Sequence, residues 1–311
     1  MTTSNVISPP DPLALILVTY QSDGHIQACL SSLPLAEPQR GLRIILVDNS
    51  STDNTRAQIA TALRNYPHER IAHQLIYNND NRGFTRAVNQ ALAHVPEQAA
   101  VLFLNPDTIL PPGCLSALMK SLYANEKIGV VAPQLRFPAS VKTPDEMIQP
   151  SCRRFPIYSD LFFEFTGLAQ AFPRSARCNR WKMGEFDHRS SREVDQPQGA
   201  CLLARPEVIQ QVGMWDERFP LFFSDVDWCR RVWQAGWKIY FEAEAFVYHA
   251  QGASVKQARP RAIWSSHISF WRYFRKWRVS WWDEIFSLVI GPVLVLAALL
   301  RIAWVGLKRG D

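Results

Sequence analysis

The sequence predicts an α/β fold, with a Rossmann-like, mostly parallel central sheet, flanking helices and a C-terminal membrane-associated helical segment. Uninterrupted apolar runs at 13–18, 42–47 and 101–104 are typical of strands buried on both faces of a parallel sheet. Helical patterns separate these runs, as βαβ crossovers require. Near the C-terminus, residues 285–300 form a stretch of sixteen without a charge.

Composition excludes several other classes of protein. The 311 residues are 47% hydrophobic and 20% charged, which suits a globular chain with one large domain or two small ones. The N-terminus lacks a basic region followed by a cleavable apolar segment, so we expect a cytosolic, reducing compartment. No CxxC spacing occurs, which argues against a structural zinc site or a disulfide framework, among the six cysteines at 29, 114, 152, 178, 201 and 229.

In the N-terminal half, apolar runs and turn formers alternate regularly. Residues 1–10 are polar and end in proline, so we expect disorder there. Pro34 is expected to end the first helix, and Thr52 or Asp53 to cap the second. We predict strands at 13–18, 42–47, 74–77, 101–105 and 128–132, and helices at 25–33, after Asp53 and around 87–91.

The run VLFLNPDTIL at 101–110 is the centre of the functional prediction. Pro106 cannot donate to a ladder, so the strand should end near Asn105 and leave Asp107 just beyond its tip. Ligands of open α/β sheets bind beyond the carboxyl ends of the strands. A carboxylate there suits a hard divalent cation held together with substrate phosphates. The alternative is an ordinary Asn-Pro-Asp turn.

The pattern dissolves between residues 133 and 197, where prolines, arginines and isolated aromatics predict long loops with short helices. Loops of that length inside a domain are usually functional, although no motif there identifies an acceptor. A second ordered block follows. We predict strands at 199–204, 238–242 and 245–248, and helices at 206–212 and 225–235.

After His249 the composition becomes basic and aromatic. Residues 256–278 contain seven basic side chains and no acidic one, which points to an anionic membrane or nucleic acid. Because the apolar run 285–300 follows directly, and no nucleic-acid motif is present, we expect a membrane surface and no nucleic acid. We favour a segment lying in one leaflet. A buried core helix and a single bent spanning helix remain alternatives.

Four acidic or imidazole residues are placed after strand ends: Asp48, Asp107, Asp225 and His249. The carboxyl ends of parallel strands share one edge, so these side chains can converge. Asp48 begins a polar turn that could bind a base or ribose. Asp107 could ligate a metal that bridges a diphosphate, and His249 could complete its shell, the alternative being a histidine without a ligand role.

Two readings remain for Ser224-Asp225-Val226-Asp227. A Ser followed by an acid three residues later is a helix-capping pattern, and acids suit a first helical turn. That reading accounts less well for Asp225, since one acid would suffice. A carboxylate at a helix start beside a cleft is a reasonable general base for an acceptor hydroxyl. Elsewhere, Arg82-Gly83 could contact a phosphate at the following helix N-terminus.

Six blocks in order resemble the family 2 glycosyltransferases, most closely their bacterial rhamnosyltransferase-like branch. They are LILVTYQS, ILVDNSSTDNT, NDNRGFTRAVNQAL, FLNPDT, the long block from GACLLARP to SDVDWCRRVWQAGWKIYF, and VYH, together spanning about residues 13–255. The resemblance implies a GT-A fold over residues 11–255, a nucleotide-diphosphate sugar donor, a Mg²⁺ or Mn²⁺ ion and inversion at the anomeric carbon. Residues 256–311 would form the membrane-associating segment.

By the same resemblance, Asp225 is the catalytic base, and Asp107 and His249 are the metal ligands. Asp48 resembles the base-recognition acid, and Asn105 stands where an Asp often occurs in the metal motif. We assign the other donor contacts to Thr19, Tyr20, Asn81, Arg82, Gly83 and Gly199, and possible acceptor or orienting roles to Ser224, Asp227 and Trp228.

The branch favours dTDP-rhamnose as donor, with UDP-hexoses and galactofuranose open, and a polyprenyl-linked or polysaccharide acceptor at the cytoplasmic face of the plasma membrane. Ser224 departs from the pattern, because the family usually has Glu before the catalytic Asp. A catalytically degenerate, nucleotide-sugar-binding or scaffold partner is therefore the alternative function.

Overall fold

The computed structural model describes residues 13–37, 39–66, 69–138, 147–251 and 259–307, so the predicted disorder of 1–10 lies outside the described residues. The strands are β1 Leu13–Thr19, β2 Leu42–Asp48, β3 Ile71–Tyr77, β4 Val101–Leu104, β5 Thr108–Ile109, β6 Ile128–Arg136, β7 Cys152–Arg153, β8 Arg192–Glu193, β9 Gln196–Pro197, β10 Cys201–Ala204 and β11 Lys238–His249. The helices are α1 Ile26–Ala36, α2 Thr55–Arg64, α3 Phe84–Leu92, α4 Cys114–Tyr123, α5 Tyr158–Phe165, α6 Leu168–Ala171, α7 Pro206–Val212, α8 Ser224–Gln234, α9 Arg259–Lys276 and α10 Trp281–Leu307.

The central sheet confirms the predicted α/β class. Its order is β3-β2-β1-β4-β10-β6-β11-β5, with β8 on the side of β11. Strands β1 to β4 pair in parallel. Alternate residues of each strand enter opposite cores, as in β1, where Leu15 and Leu17 face one cluster and Ile16 and Val18 the other. Burial on both faces explains why these strands read as continuous apolar runs.

Strand β10 runs antiparallel between β4 and β6, which the alternating sequence pattern did not predict. Its first residue, Cys201, pairs with the last residue of β4, Leu104. The reversed direction therefore places the start of β10, rather than its end, at the carboxyl edge of the parallel strands. Gly199 and Ala200 come to that edge for this reason.

Two strand predictions in the C-terminal half need correction. Strand β6 continues through Pro133 to Arg136, and the segments predicted at 238–242 and 245–248 are one strand, β11. The same irregularity explains both errors. The β6–β11 register shifts between Glu242 and Phe246, next to Pro133, so the missing proline N–H falls where the ladder is already interrupted.

Helix α1 does not end before Pro34, as predicted, but includes it and continues to Ala36. A proline inside a helix leaves the carbonyl four residues earlier without its N–H donor. Here that carbonyl belongs to Leu30, and the buried Tyr66 hydroxyl donates to it at 2.6 Å. The hydroxyl thus replaces the lost helical hydrogen bond, from a residue that no local pattern connects to α1.

The predicted cap of α2 is also displaced. Asn54 is the N-cap residue, and no side-chain cap bond is present. Asp53 instead accepts from the backbone N–H of Thr55 at 3.1 Å, while Thr52 accepts from the Gln21 side chain at 2.9 Å. Both predicted caps are therefore used to tie the loop after β1 and the start of α2 together.

The C-terminal helices pack against each other and against the catalytic part of the chain. Tyr273 and Phe274 of α9 join a cluster with Leu161 of α5 and with Phe223 and Val226 around the start of α8. Helix α10 continues through Pro292 without interruption.

One stretch of α10, Trp281–Ala303, is long and apolar enough to cross a membrane, and only 22% of its most apolar window is buried. That exposure argues against the core-helix alternative. Lying in a leaflet and spanning both stay predictions.

The Tyr66–Leu30 hydrogen bond gives a stability prediction. Tyr66→Phe leaves a buried carbonyl unpaired, so the free energy of unfolding should fall by about 1–3 kcal/mol in urea denaturation. Tyr123→Phe is the matched control, because the Tyr123 hydroxyl is buried without a hydrogen-bond partner among the described residues. The control should change stability by no more than about 0.5 kcal/mol. Equal losses in both variants would contradict the role given to Tyr66.

Candidate active site

The carboxyl edge of the sheet collects most of the predicted polar residues. Asp48 is the last residue of β2, and His249 is the last residue of β11. Asp107 lies in the turn between β4 and β5. Asp225 does not follow a strand end, as expected, but lies in the first turn of α8 after a long loop.

Asp107 and His249 are neighbours because β5 pairs antiparallel with the end of β11. Thr108 is opposite His249 in this register, and the Ala250 N–H donates to the Asp107 carbonyl at 3.0 Å. The His249 Nε2 atom lies 3.4 Å from the Asp107 carboxylate. The side chain of His249 is 3% exposed and that of Asp107 is 12% exposed, so both line a recess.

Gln149 fixes the imidazole of His249 from the opposite side. Its Nε2 donates to the His249 carbonyl at 2.5 Å, which leaves its Oε1 to accept from the His249 Nδ1 at 3.1 Å. Nδ1 therefore carries the proton, and the Nε2 lone pair faces Asp107. Bonds of this kind orient histidines that ligate metals. Sequence reasoning missed Gln149, since it lies in the patternless segment 133–197.

The Asp107–His249 pair fits a divalent cation whose other ligands come from substrate. One carboxylate oxygen and one neutral imidazole nitrogen are a suitable oxygen and nitrogen donor set for Mg²⁺ or Mn²⁺. No cluster of three or more His, Cys, Asp or Glu side chains that could hold a metal occurs among the described residues. Phosphate oxygens and water would have to supply the rest, as is usual for Mg²⁺ at phosphate sites.

Asp225 is held by two backbone donors. The Gly199 N–H donates to its Oδ2 at 3.0 Å and the Val226 N–H to its Oδ1 at 2.9 Å. Burial raises the pKa of the Asp225 carboxyl above the ordinary value, and these two hydrogen bonds oppose the rise. A Cβ on Gly199 would lie 2.9 Å from the Asp225 Cβ, so only glycine allows this approach.

Arg153 of β7 is a further charged residue that the sequence did not reveal. Its guanidinium acts electrostatically on Asp225 and lowers the pKa of that carboxyl, though less than burial raises it. Its Nη1 donates to the carbonyls of Pro150 and Cys152. Strand β7 pairs with β9, which ends two residues before Gly199, so the sheet pairing positions this cation.

Asp48 is fully buried and highly connected. Its carboxylate accepts from the Thr19 hydroxyl at 3.0 Å, the Ser51 N–H at 3.1 Å and the Arg56 Nε at 2.7 Å. A carboxylate has about four acceptor positions, so one remains for a base or ribose. The predicted donor contacts Thr19 and Asp48 are therefore joined, whereas the predicted contact Tyr20 lies on the same loop and is partly exposed.

The Asn-rich loop before α3 is organised by Asn49. Its side chain donates to the Asn81 Oδ1 at 2.9 Å and accepts from the Arg82 N–H at 3.1 Å. Gly83 has a positive φ of 86°, and a Cβ there would meet the Pro220 carbonyl at 3.3 Å. The loop is thus fixed to the segment that leads into α8. The exposed Arg82 side chain pairs with Asp80.

Asn105 connects the metal turn with the base. Its N–H donates to the Ala200 carbonyl at 2.9 Å, and its own carbonyl accepts from the Thr108 hydroxyl at 2.7 Å. Consecutive residues, Gly199 and Ala200, therefore contact Asp225 on one side and the Asn105–Asp107 turn on the other.

The capping interpretation of Ser224 and Asp227 is wrong. Phe223, in a left-handed conformation with φ 67°, is the N-cap of α8, and no side-chain cap bond is present. The buried Ser224 hydroxyl donates back to the Leu221 carbonyl at 3.1 Å. Asp227 is buried and instead accepts from Trp277 Nε1 at 3.0 Å and pairs with Lys276 at 2.6 Å.

Trp228 cannot contact an acceptor, because it is completely buried. Its indole stacks on Trp215 at 5.7 Å between ring centroids, and it also contacts Phe103 of β4 edge-on. An orienting role through the packing of α8 on the sheet is the part of the prediction compatible with this position.

The sheet, the acidic carboxyl edge and the reversed strand together define an enzyme of the GT-A class. The chain belongs to the family described as "Glycosyltransferase like family 2", which matches residues 9–263. This is the family that the sequence blocks resembled, so that prediction is confirmed.

Two relatives and one solved structure agree with this assignment. The N-acetylglucosaminyl-diphospho-decaprenol L-rhamnosyltransferase of Mycobacterium tuberculosis is 29% identical over 282 residues, covering 88% of this chain and 87% of that protein. The rhamnosyltransferase WbbL of Escherichia coli is 26% identical over 173 residues, covering 54% and 60% respectively. The mannosyltransferase PcManGT of Pyrobaculum calidifontis, solved with GDP-Man and Mn²⁺, aligns with TM-score 0.56 at 17% identity over 96% of this chain and 78% of that one.

Gln149 allows a test of the metal role predicted for His249. Gln149→Leu removes the partner that holds Nδ1–H, so the Mn²⁺ concentration for half-maximal binding should rise about 10–100-fold. Isothermal titration with Mn²⁺ and a nucleotide diphosphate measures this. Gln134→Leu is the control, since Gln134 is equally buried but donates to the His188 carbonyl. Equal Mn²⁺ affinity in wild type and Gln149→Leu would refute the orienting role.

Proposed function

We propose that this family 2 glycosyltransferase inverts the anomeric carbon and uses a divalent metal, transferring rhamnose from dTDP-rhamnose to a polyprenyl-linked or polysaccharide acceptor in surface-glycan synthesis. The observation that carries the proposal is the junction Gly199–Ala200, which holds the Asp225 carboxylate on one side and the Asp107 turn on the other. The M. tuberculosis relative supports the choice of rhamnose and of a lipid-linked acceptor.

Asp225 acts as the general base. Its carboxylate accepts the proton of the acceptor hydroxyl as that oxygen bonds to the anomeric carbon on the face opposite the diphosphate. The bond between the anomeric carbon and the diphosphate oxygen breaks, and the electron pair leaves with the diphosphate. The Gly199 and Val226 N–H groups hold the carboxylate in place, which limits its freedom before reaction.

Asp107 and His249 would hold the Mg²⁺ or Mn²⁺ ion beside the diphosphate. When bound, such an ion supplies Lewis-acid neutralisation of the leaving group. Gln149 keeps the His249 Nε2 free for this purpose. Asp48 and the loop ordered by Asn49 would receive the nucleoside and the ribose.

We further propose that the enzyme works at the cytoplasmic face of the plasma membrane. The exposed apolar side of α10 supports this, with Leu288, Leu296 and Leu300 each more than half exposed. Charge contributes less than the sequence suggested, because Lys276 and Arg278 form ion pairs within the protein. Attraction to the bilayer therefore rests mainly on buried apolar area.

The alternative of a degenerate partner rested on Ser224. In the structure Ser224 bonds only to the backbone of its own turn among the described residues, while Asp225 keeps two donors that do not involve it. The position of the base is therefore independent of the residue before it, which favours an active enzyme.

A nucleotide-sugar panel tests the donor and the metal together. We expect dTDP-rhamnose with Mn²⁺ to raise the melting temperature, since a ligand that binds only the folded state stabilises it by mass action. Chelator should remove the shift, because the metal bridges the protein to the diphosphate. Stabilisation by a different nucleotide sugar alone would replace rhamnose in the proposal, and a shift unaffected by chelator would contradict the metal site.

Asp225→Asn tests the base. Transfer should fall about 10²–10⁴-fold, the usual contribution of general-base catalysis, while donor binding in the same thermal-shift assay is kept. A variant with near-wild-type transfer would rule Asp225 out as the base.

The pH dependence of the wild type follows from the raised pKa of Asp225. The carboxylate is the active form, so the acidic limb of kcat/KM should lie at higher pH than an ordinary carboxyl gives. Ionising the group costs the folded state, so stability should decline as pH rises from the ordinary carboxyl pKa through the raised one, and Asp225→Asn should lack that decline. Gly199→Ala should move the limb further up by displacing the Gly199 N–H. An acidic limb at the ordinary carboxyl pKa would contradict this.

A further inference from the structure

An apolar groove lies between α5 and α10. Tyr158, Phe162 and Phe165 form one wall, and Phe286, Ile290 and Val293 form the other. Its volume is about 290 Å³, at the lower end of ligand pockets, and the lining is almost entirely carbon. Phe162, Phe165 and Phe286 are each half exposed or more, so the groove is open to its surroundings.

The two walls are fixed relative to each other. The Tyr158 hydroxyl donates to the Asp283 carbonyl at 3.1 Å, which ties the start of α5 to the start of α10. The Tyr158 ring also stacks on Phe274 of α9 at 4.4 Å between centroids. The groove is therefore a formed feature of the packed helices.

Helix α5 connects this groove to the catalytic carboxylate. Leu161 lines the groove and also packs in the cluster with Phe223 and Val226, the residues on either side of the Ser224–Asp225 pair. One residue position along, Glu164 acts electrostatically on Arg153, as Asp225 does. A path thus runs from an apolar groove, past a cation, to the base.

We propose that this groove binds the isoprenoid chain of the lipid-linked acceptor, with Arg153 facing the acceptor diphosphate and Asp225 the acceptor sugar hydroxyl. The inference rests on the proposed function and names the acceptor site within it. Its three parts follow the order of a polyprenyl-diphosphate-sugar: hydrocarbon, anion, sugar. One wall is the helix with the membrane-compatible stretch, so a chain can enter from the bilayer. The small volume holds only the portion nearest the diphosphate.

The occupant differs from bulk membrane lipid in what it connects. Apolar residues on other sides of α10, such as Leu288, are exposed and give attraction to a bilayer without any groove. A groove that leads toward Arg153 and Asp225 is needed only by a chain whose head must reach the catalytic site. Arg153 adds charge complementarity to a diphosphate, since guanidinium is well suited to phosphate oxygens.

The test fills the groove without making it polar. Val293→Trp adds a large apolar side chain within it, and Val289→Trp adds the same side chain to the same helix at an exposed position outside the groove lining. The acceptors are N-acetylglucosaminyl-diphospho-decaprenol and an analogue with a single isoprene unit. The readouts are kcat/KM for each acceptor, thermal shift by each acceptor without donor, and binding to phosphatidylglycerol vesicles.

We expect the wild type to prefer the long-chain acceptor at least 10-fold. Val293→Trp should reduce that preference to near unity by loss with the long chain alone, and should abolish the thermal shift that the long chain gives. Val289→Trp should keep both, and all three proteins should bind vesicles equally.

Other results overturn the proposal. An unchanged preference in Val293→Trp, parallel losses with both acceptors, or no preference in the wild type would exclude the groove as the chain site. A phospholipid site would show as reduced vesicle binding by Val293→Trp with unchanged acceptor preference. If the wild type transfers no sugar to either acceptor, the proposed function fails, and the acceptor thermal shift still decides the groove.

Discussion

The antiparallel insertion of β10 between β4 and β6 is the constraint on which the site depends. A parallel strand there would bring its end to the catalytic edge, whereas the reversed strand brings its start, with the Gly199 N–H and the Ala200 carbonyl directed to two different partners. One residue holds the base and the next holds the metal turn. The distance between proton acceptor and leaving-group site is therefore set by a rigid strand junction, as positioning catalysis requires.

The two acids of Ser224-Asp225-Val226-Asp227 have separate tasks. Asp225 faces Gly199 and the cleft, while Asp227, two residues on, is buried against α9 with Arg231, Lys276 and Trp277 as donors. A buried carboxylate with this many charged and polar partners costs several kcal/mol to strip of one of them. Helix α8 is thus attached to the membrane-facing helices by the same turn that carries the base.

The sequence predicted the α/β class, the family and the clustering of Asp107 with His249, because buried parallel strands and strand-end acids leave local patterns. It did not predict β10's direction, since an antiparallel strand and a parallel one have the same apolar run. Pro34 misled for a different reason. Its cost is offset by Tyr66, a tertiary contact with no local signature. Gln149 and Arg153 lie in irregular segments, where function depends on single contacts and periodicity carries no information. The division at residue 255 stays a prediction.

The irregular segment is also where the acceptor end of the site is built. Helix α5 carries Leu161 and Phe165 on the groove side and Glu164 toward Lys182 and Arg153, so one short helix separates a hydrocarbon surface from a charged one. An amphipathic acceptor needs that boundary, because its chain and its diphosphate require opposite surroundings within a few atoms of each other. The donor end uses strand edges, which any member of this fold has. Acceptor choice can therefore vary through the 133–197 segment and α10 while the sheet and its chemistry stay fixed.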